Sequence, residues 1–113
     1  MDLIVHKLNV KLLDNINASS TSVLSDAISI QGFSLYCVHY NWSAFSAIDP
    51  LLEILASNSL DQPFSVVDSY VPSGTTGNRL VNVEKAGYAY IKIKWSCTSA
   101  SGAITASVNG KVI

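Results

Sequence analysis

The sequence predicts an all-β chain: an antiparallel, jelly-roll-like β-sandwich of about eight strands, folded as a single domain over residues 1–113. Three observations predict it. Apolar residues recur with a period of two along most of the chain. Clusters of Gly, Pro, Asn, Asp and Ser punctuate those runs every roughly 8–12 residues. A length of 113 residues is enough for one hydrophobic core and too short for two.

The C-terminal third carries the clearest signal. In AGYAYIKIKW, Ala89, Ile91, Ile93 and Trp95 share one face, while Tyr88, Tyr90, Lys92 and Lys94 share the other. After the small polar turn SCTSASG, Ile104, Ala106 and Val108 repeat the pattern. From the N-terminus, residues 3–13 alternate with Ile4, His6, Leu8, Val10 and Leu12 on one face, which predicts a half-buried strand. Residues 14–22 are polar and predict a loop. Residues 23–30 hold a short strand around Ala27, Ile28 and Ile30, closed by Gln31-Gly32.

Residues 33–42 form the densest strand. Phe33, Leu35, Cys37 and His39 make one face, and Tyr36, Val38, Tyr40 and Trp42 the other. Both faces are apolar or aromatic, so both require cover. The first is assigned to the core. The row Tyr36, Tyr40 and Trp42 is assigned to a partner interface, because Tyr and Trp are enriched at interfaces. The expected core is Leu35, Cys37, Ile91, Ile93, Trp95, Ile104 and Ala106. Residues 43–49 read as a loop. Residues 51–57 fit either a strand with Leu52, Ile54 and Ala56 inward or a short helix with Asp49 as N-cap and Pro50 at N1; the β context favours the strand. A turn at 58–63, a strand at 64–71, the loop PSGTTGN and a strand at 79–84 complete the set.

Composition points to assembly. Charged residues are 13% of the chain, about half of the roughly 25% usual for soluble domains. Mean hydropathy is +0.32. No apolar run approaches the about 18 residues of a membrane span. The excess apolar surface is therefore expected to be buried between copies of the chain. A net charge of −1 leaves no basic footprint for nucleic acid. The start, MDLIVHKLNV, lacks signal-peptide features, so synthesis and assembly in a cytoplasm are expected.

Chemistry-bearing patterns are sparse. His6 and His39 alternate into strand faces and read as structural. No serine lies in Gly-x-Ser-x-Gly. The acids are scattered; Asn58 and Asp61 share a turn, but an Asx turn explains them better than a calcium site needing six to eight oxygens. Cys37 and Cys97 lie in or beside strands and read as small buried thiols, with a disulfide left open. No catalytic, metal or cofactor residues are therefore assigned.

A series of motifs adds to this. SDAISI at 25–30 is followed by GFSLYCV at 32–38, LEILASN at 52–58, Phe64 opening the next strand, AGYAYIKIKW at 86–95 and SGAITASVNGK at 101–111. In this order they resemble the small β-sandwich proteins of bacteriophage virions, of decoration, minor capsid or spike-base type. The pattern's usual acid after Ser-Asn is Ser59 here, and its usual Arg is Lys92. The resemblance implies a virion structural protein whose partners are its own copies and other virion proteins, acting without catalysis and located in the virion. A second reading is a glycan- or receptor-binding module, with Trp42, Tyr70 and Tyr88 as stacking aromatics.

Overall fold

In a computed structural model, residues 7–31, 35–84 and 89–111 are described. Nine strands follow in chain order: β1 (Lys7–Asn17), β2 (Ser22–Leu24), β3 (Ile28–Ser29), β4 (Leu35–Ile48), β5 (Leu51–Ser57), β6 (Ser65–Tyr70), β7 (Gly77–Glu84), β8 (Tyr90–Ser96) and β9 (Ser99–Lys111). The first sheet has the order β1-β9-β4-β7; the second has β2-β8-β5-β6, with β3 also on β8. All pairings are antiparallel. No helix occurs among the described residues, and residues 51–57 form strand β5.

β2 and β3 act as two pieces of one edge strand, since both pair with β8. Counted so, the chain crosses between sheets at every connection except β5–β6. That wrapping of eight strands into two four-stranded layers is the jelly-roll pattern. The sequence explains the break in the edge strand. Ser25 turns inward between β2 and β3; its N–H donates to the Ile93 carbonyl and its Oγ accepts from the Ile93 N–H, both at 2.9 Å. A side chain thus replaces one rung of the ladder.

The core lies between the layers. Ile91, Ile93 and Trp95 of β8, Leu52 and Ile54 of β5, and Ile104, Ala106 and Val108 of β9 are fully buried, as alternation predicts. Trp95 is held by its indole N–H, which donates to the carbonyls of Ala18 (3.2 Å) and Ser20 (3.1 Å). Phe45 meets its ring edge-on at 5.6 Å.

β4 corrects the expected register. Tyr36, Val38, Tyr40 and Trp42 face the core, at 0–4% exposure. Cys37 and His39 lie on the outer face and are half-buried. The reason is cross-strand: Val38, Tyr40 and Trp42 pair with Val108, Ala106 and Ile104, whose side chains point inward. The burial expected of Leu35 falls on a side chain outside those described. β4 also runs on through residues 43–48, where a loop was expected. A bulge between Ser43 and Ser46 places Ala44 at φ 49° and turns Phe45 into the core. β1 likewise extends to Asn17, past the expected loop start, with two irregularities on the way.

Candidate functional site

The expected interface row is interior. Tyr36, Tyr40 and Trp42 pack in the core cluster, so they offer no open surface to a partner. Trp42 is fixed on three sides. Its Nε1–H donates to the Ser73 carbonyl at 3.1 Å, its ring lies 5.9 Å from that of Tyr70, and a Cβ at Gly77 would come within 2.6 Å of the indole. Gly77 is therefore required for that close approach. Arg79 caps the stack, its guanidinium carbon 4.3 Å from the Tyr70 centroid. With Trp42 at 4% exposure, Trp42 and Tyr70 form an internal wedge rather than a sugar-stacking platform. Tyr88 and His6 lie outside the described residues.

The wedge adjoins a buried polar pair. Tyr40 Oη and Asp68 Oδ2 are both buried, and neither has a hydrogen-bond partner among the described residues. Burial, reinforced by the Asp68 charge and opposed by Arg79, pushes the Tyr40 phenol well above its ordinary range. His39 Nε2 is likewise buried without a hydrogen bond. Both cysteines are free thiols. Burial raises the Cys37 thiol, partly offset by a backbone hydrogen bond from Val81. Asp61 sits in a serine-held turn, its N–H donating to Ser59 Oγ at 3.2 Å. No group of three or more His, Cys, Asp or Glu that could hold a metal occurs among the described residues.

The exposed surface carries what remains. Leu24, Ile48, Leu60, Val66, Val67, Val71 and Leu80 are large apolar side chains left open to solvent. Two of them, Val66 and Val67, lie on β6, the free edge of the second sheet. The described sheet edges differ in how they are protected against further pairing. β1 is twice irregular and carries Lys11 ion-paired to Asp14. The β2/β3 edge is short and broken. β7 carries Arg79 beside exposed Leu80. β6 has one bulge, at Val67, and contains no Lys, Arg or Pro. Its single charge, Asp68, pairs with inward-facing Ile54 and so turns toward the interior. Alternation in 64–71 located this strand but could not reveal that it ends a sheet.

Comparison with known proteins places the fold. The chain is similar to the SPBc2 prophage-derived protein YomS, with TM-score 0.66 and 12% identity over 98% of this chain and 97% of that one. It is also similar to a Bacillus endospore appendage protein from a family of disulfide-linked pili, with TM-score 0.53 and 13% identity over 100% and 95%. No family model and no curated protein matches the sequence. The likeness covers nearly the whole of each chain, so the complete sandwich is shared.

Proposed function

We propose that this protein is a structural component of a bacteriophage virion, as a capsid decoration, minor capsid, or spike and tail accessory protein. It works by repeated contact with its own copies and with other virion proteins, without turnover. The likeness to a prophage-derived protein and to a pilus protein supports a structural role, as does the sparse charge of 13%. The observation that carries the reading is β6, an edge among the described strands that exposes Val66 and Val67 and has no Lys, Arg or Pro.

A free edge exposes unpaired N–H and C=O groups that another strand satisfies. Here the strand is suited to a second copy of itself. Two β6 strands brought together antiparallel around a two-fold axis at Val67 set that valine against its own copy and Val66 against Asp68, with no like charges opposed. Exposed Val71, just beyond the strand, extends the apolar contact.

Sedimentation at micromolar concentration, alone and with a candidate phage shell, tests this. The wild type is expected to form dimers or larger species, or to join the shell. Val66→Lys with Val67→Lys should return it to a 12.1 kDa monomer without loss of β-structure. A wild type that stays monomeric at all concentrations and ignores the shell overturns the reading.

A further inference from the structure

We infer that the outer face of the first sheet carries a binding site for a neutral glycan, formed by the carboxamides of Asn15, Asn41 and Asn78 with Thr105. It is independent of the assembly reading, and it rests on carboxamides rather than on the stacking aromatics considered from sequence, although Trp42 lies in its lining.

The register builds it. With Tyr40 and Trp42 inward, Asn41 faces outward, and its pairs on the neighbouring strands are Asn78 of β7 and Thr105 of β9. Asn15, in the β1 irregularity, donates its backbone N–H to Thr105 Oγ1 at 2.9 Å and so joins the same row. Four polar residues from four strands thus line up across the sheet, at the interstrand spacing of roughly 4.8 Å. They line a concavity of about 310 Å³, together with Ser43 and Thr76.

Backbone irregularity shapes the hollow. Asn15 adopts φ 50° and Ala44, next to Ser43, φ 49°; they are two of the three described non-glycine residues with positive φ. Gly102 is at φ 103°, where a Cβ would come within 2.6 Å of the Ser43 and Ala44 carbonyls. The floor residue Ala103 is small. Bulges and left-handed residues gather beside binding sites, where they re-aim side chains at a cost to the backbone.

The lining chooses the ligand. No residue around the concavity is charged, so it offers nothing to a phosphate, a carboxylate or an ammonium group. Its exposed groups are chiefly polar, so an apolar ligand gains little. Each carboxamide presents donors and an acceptor together, and adjacent sugar hydroxyls both donate and accept. No hydrogen bond among the described residues occupies the side chains of Asn15, Asn41 or Asn78, and all three are exposed. The volume lies at the low end of the roughly 300–1,000 Å³ of small-molecule sites, which suits one or two sugar rings. The one aromatic of the lining, Trp42, is 4% exposed and offers no open face for stacking, so the shallow site binds weakly, and copies in an assembly would add their contacts.

The test is a titration of ¹⁵N-labelled protein with glucose, galactose, mannose and N-acetylglucosamine, then with a linear trisaccharide of each. Concentrations run to about 10 mM, ten times a millimolar Kd. The expected result is that at least one sugar shifts the side-chain NH₂ signals of Asn41 and Asn78 and the Thr105 amide. A trisaccharide that binds more tightly than its monosaccharide identifies a polymer as the source; equal binding identifies the free sugar. Asn41→Ala and Asn78→Ala should each weaken binding about tenfold, the loss of one hydrogen bond. Asn41→Asp, which keeps the shape, should weaken it as well. Asn82→Ala, two rows away on the same face, should not. Backbone amide signals remote from the site report that each variant is folded. The proposal is overturned if no sugar shifts these signals, if binding survives in the Asn41→Ala/Asn78→Ala double variant, or if Asn82→Ala weakens it equally.

Discussion

Tyr40 is the residue at which burial and polarity conflict most directly. Its side chain is fully buried, yet its hydroxyl makes no hydrogen bond among the described residues and lies within the field of Asp68. Removing an unsatisfied hydroxyl while keeping the ring should cost little. Tyr40→Phe is thus expected to fall within about 1 kcal/mol of wild type, or above it, in urea unfolding at neutral pH. The raised phenol pKa adds a pH signature. In the unfolded chain a tyrosine loses its proton above about pH 10, whereas folded Tyr40 keeps it. The unfolded state then binds fewer protons, so this contribution to stability is complete below about pH 10 and declines as the pH rises toward the folded value. Unfolding free energies followed from pH 8 to 11 should therefore fall less steeply in Tyr40→Phe than in wild type. Equal slopes would mean that the phenol is accessible in the folded protein.

At the scale of elements, a strand with one polar face declares its register and a strand with two apolar faces does not. β5, β8 and β9 were legible because Glu53, Lys92, Lys94 and Asn109 alternate with their buried neighbours. β4 was not: Phe33, Leu35, Cys37 and His39 are as acceptable inside as Tyr36, Val38, Tyr40 and Trp42. Only its pairing with β9 decides between them, and pairing is not written in either strand alone. The glycan site went unseen for the same reason, since Asn15, Asn41, Asn78 and Thr105 are far apart in sequence and meet only through register. Bulges were equally hidden, because Ser43-Ala44-Phe45-Ser46 breaks the alternation and looks like a loop until the ladder resumes beyond it. The split edge β2/β3 gives this scale its prediction. Ser25 is 8% exposed, and its Oγ, which donates to the Asp26 carbonyl at 3.0 Å, is the acceptor for the Ile93 N–H in the middle of β8. Ser25→Ala would leave that buried N–H unpaired, at a cost of about 1–3 kcal/mol. Ser25→Thr, which keeps the oxygen, should lose less. Hydrogen exchange at Ile93 should accelerate in the alanine variant beyond the change at Ile91; uniform acceleration along β8 would show that the hydroxyl has no local role.

For the whole molecule, the jelly-roll wrapping brings the two ends of the chain into one sheet. β1 pairs with β9 from Lys7↔Lys111 to Asn17↔Ala103, and β9 also carries β4 on its other side. The first sheet thus has no centre until its last strand arrives; without it β4 and β7 pair only with each other and β1 has no partner in the sheet. Closing so long a loop costs entropy before any contact compensates for it. Folds dominated by such non-local pairings refold in milliseconds to seconds. The chain contains its own probes: Trp95 sits in the second sheet and Trp42 in the first, both buried. Stopped-flow fluorescence after dilution from urea should show a slow phase, on the order of milliseconds to seconds. With Trp42→Phe, fluorescence reports Trp95 alone, and with Trp95→Phe it reports Trp42 alone. If the sandwich closes as one unit, both variants should give a single rate that matches their far-ultraviolet dichroism. A faster rate for Trp95 than for Trp42 would show that the second sheet, whose β5 and β8 pair without β9, forms ahead of the first.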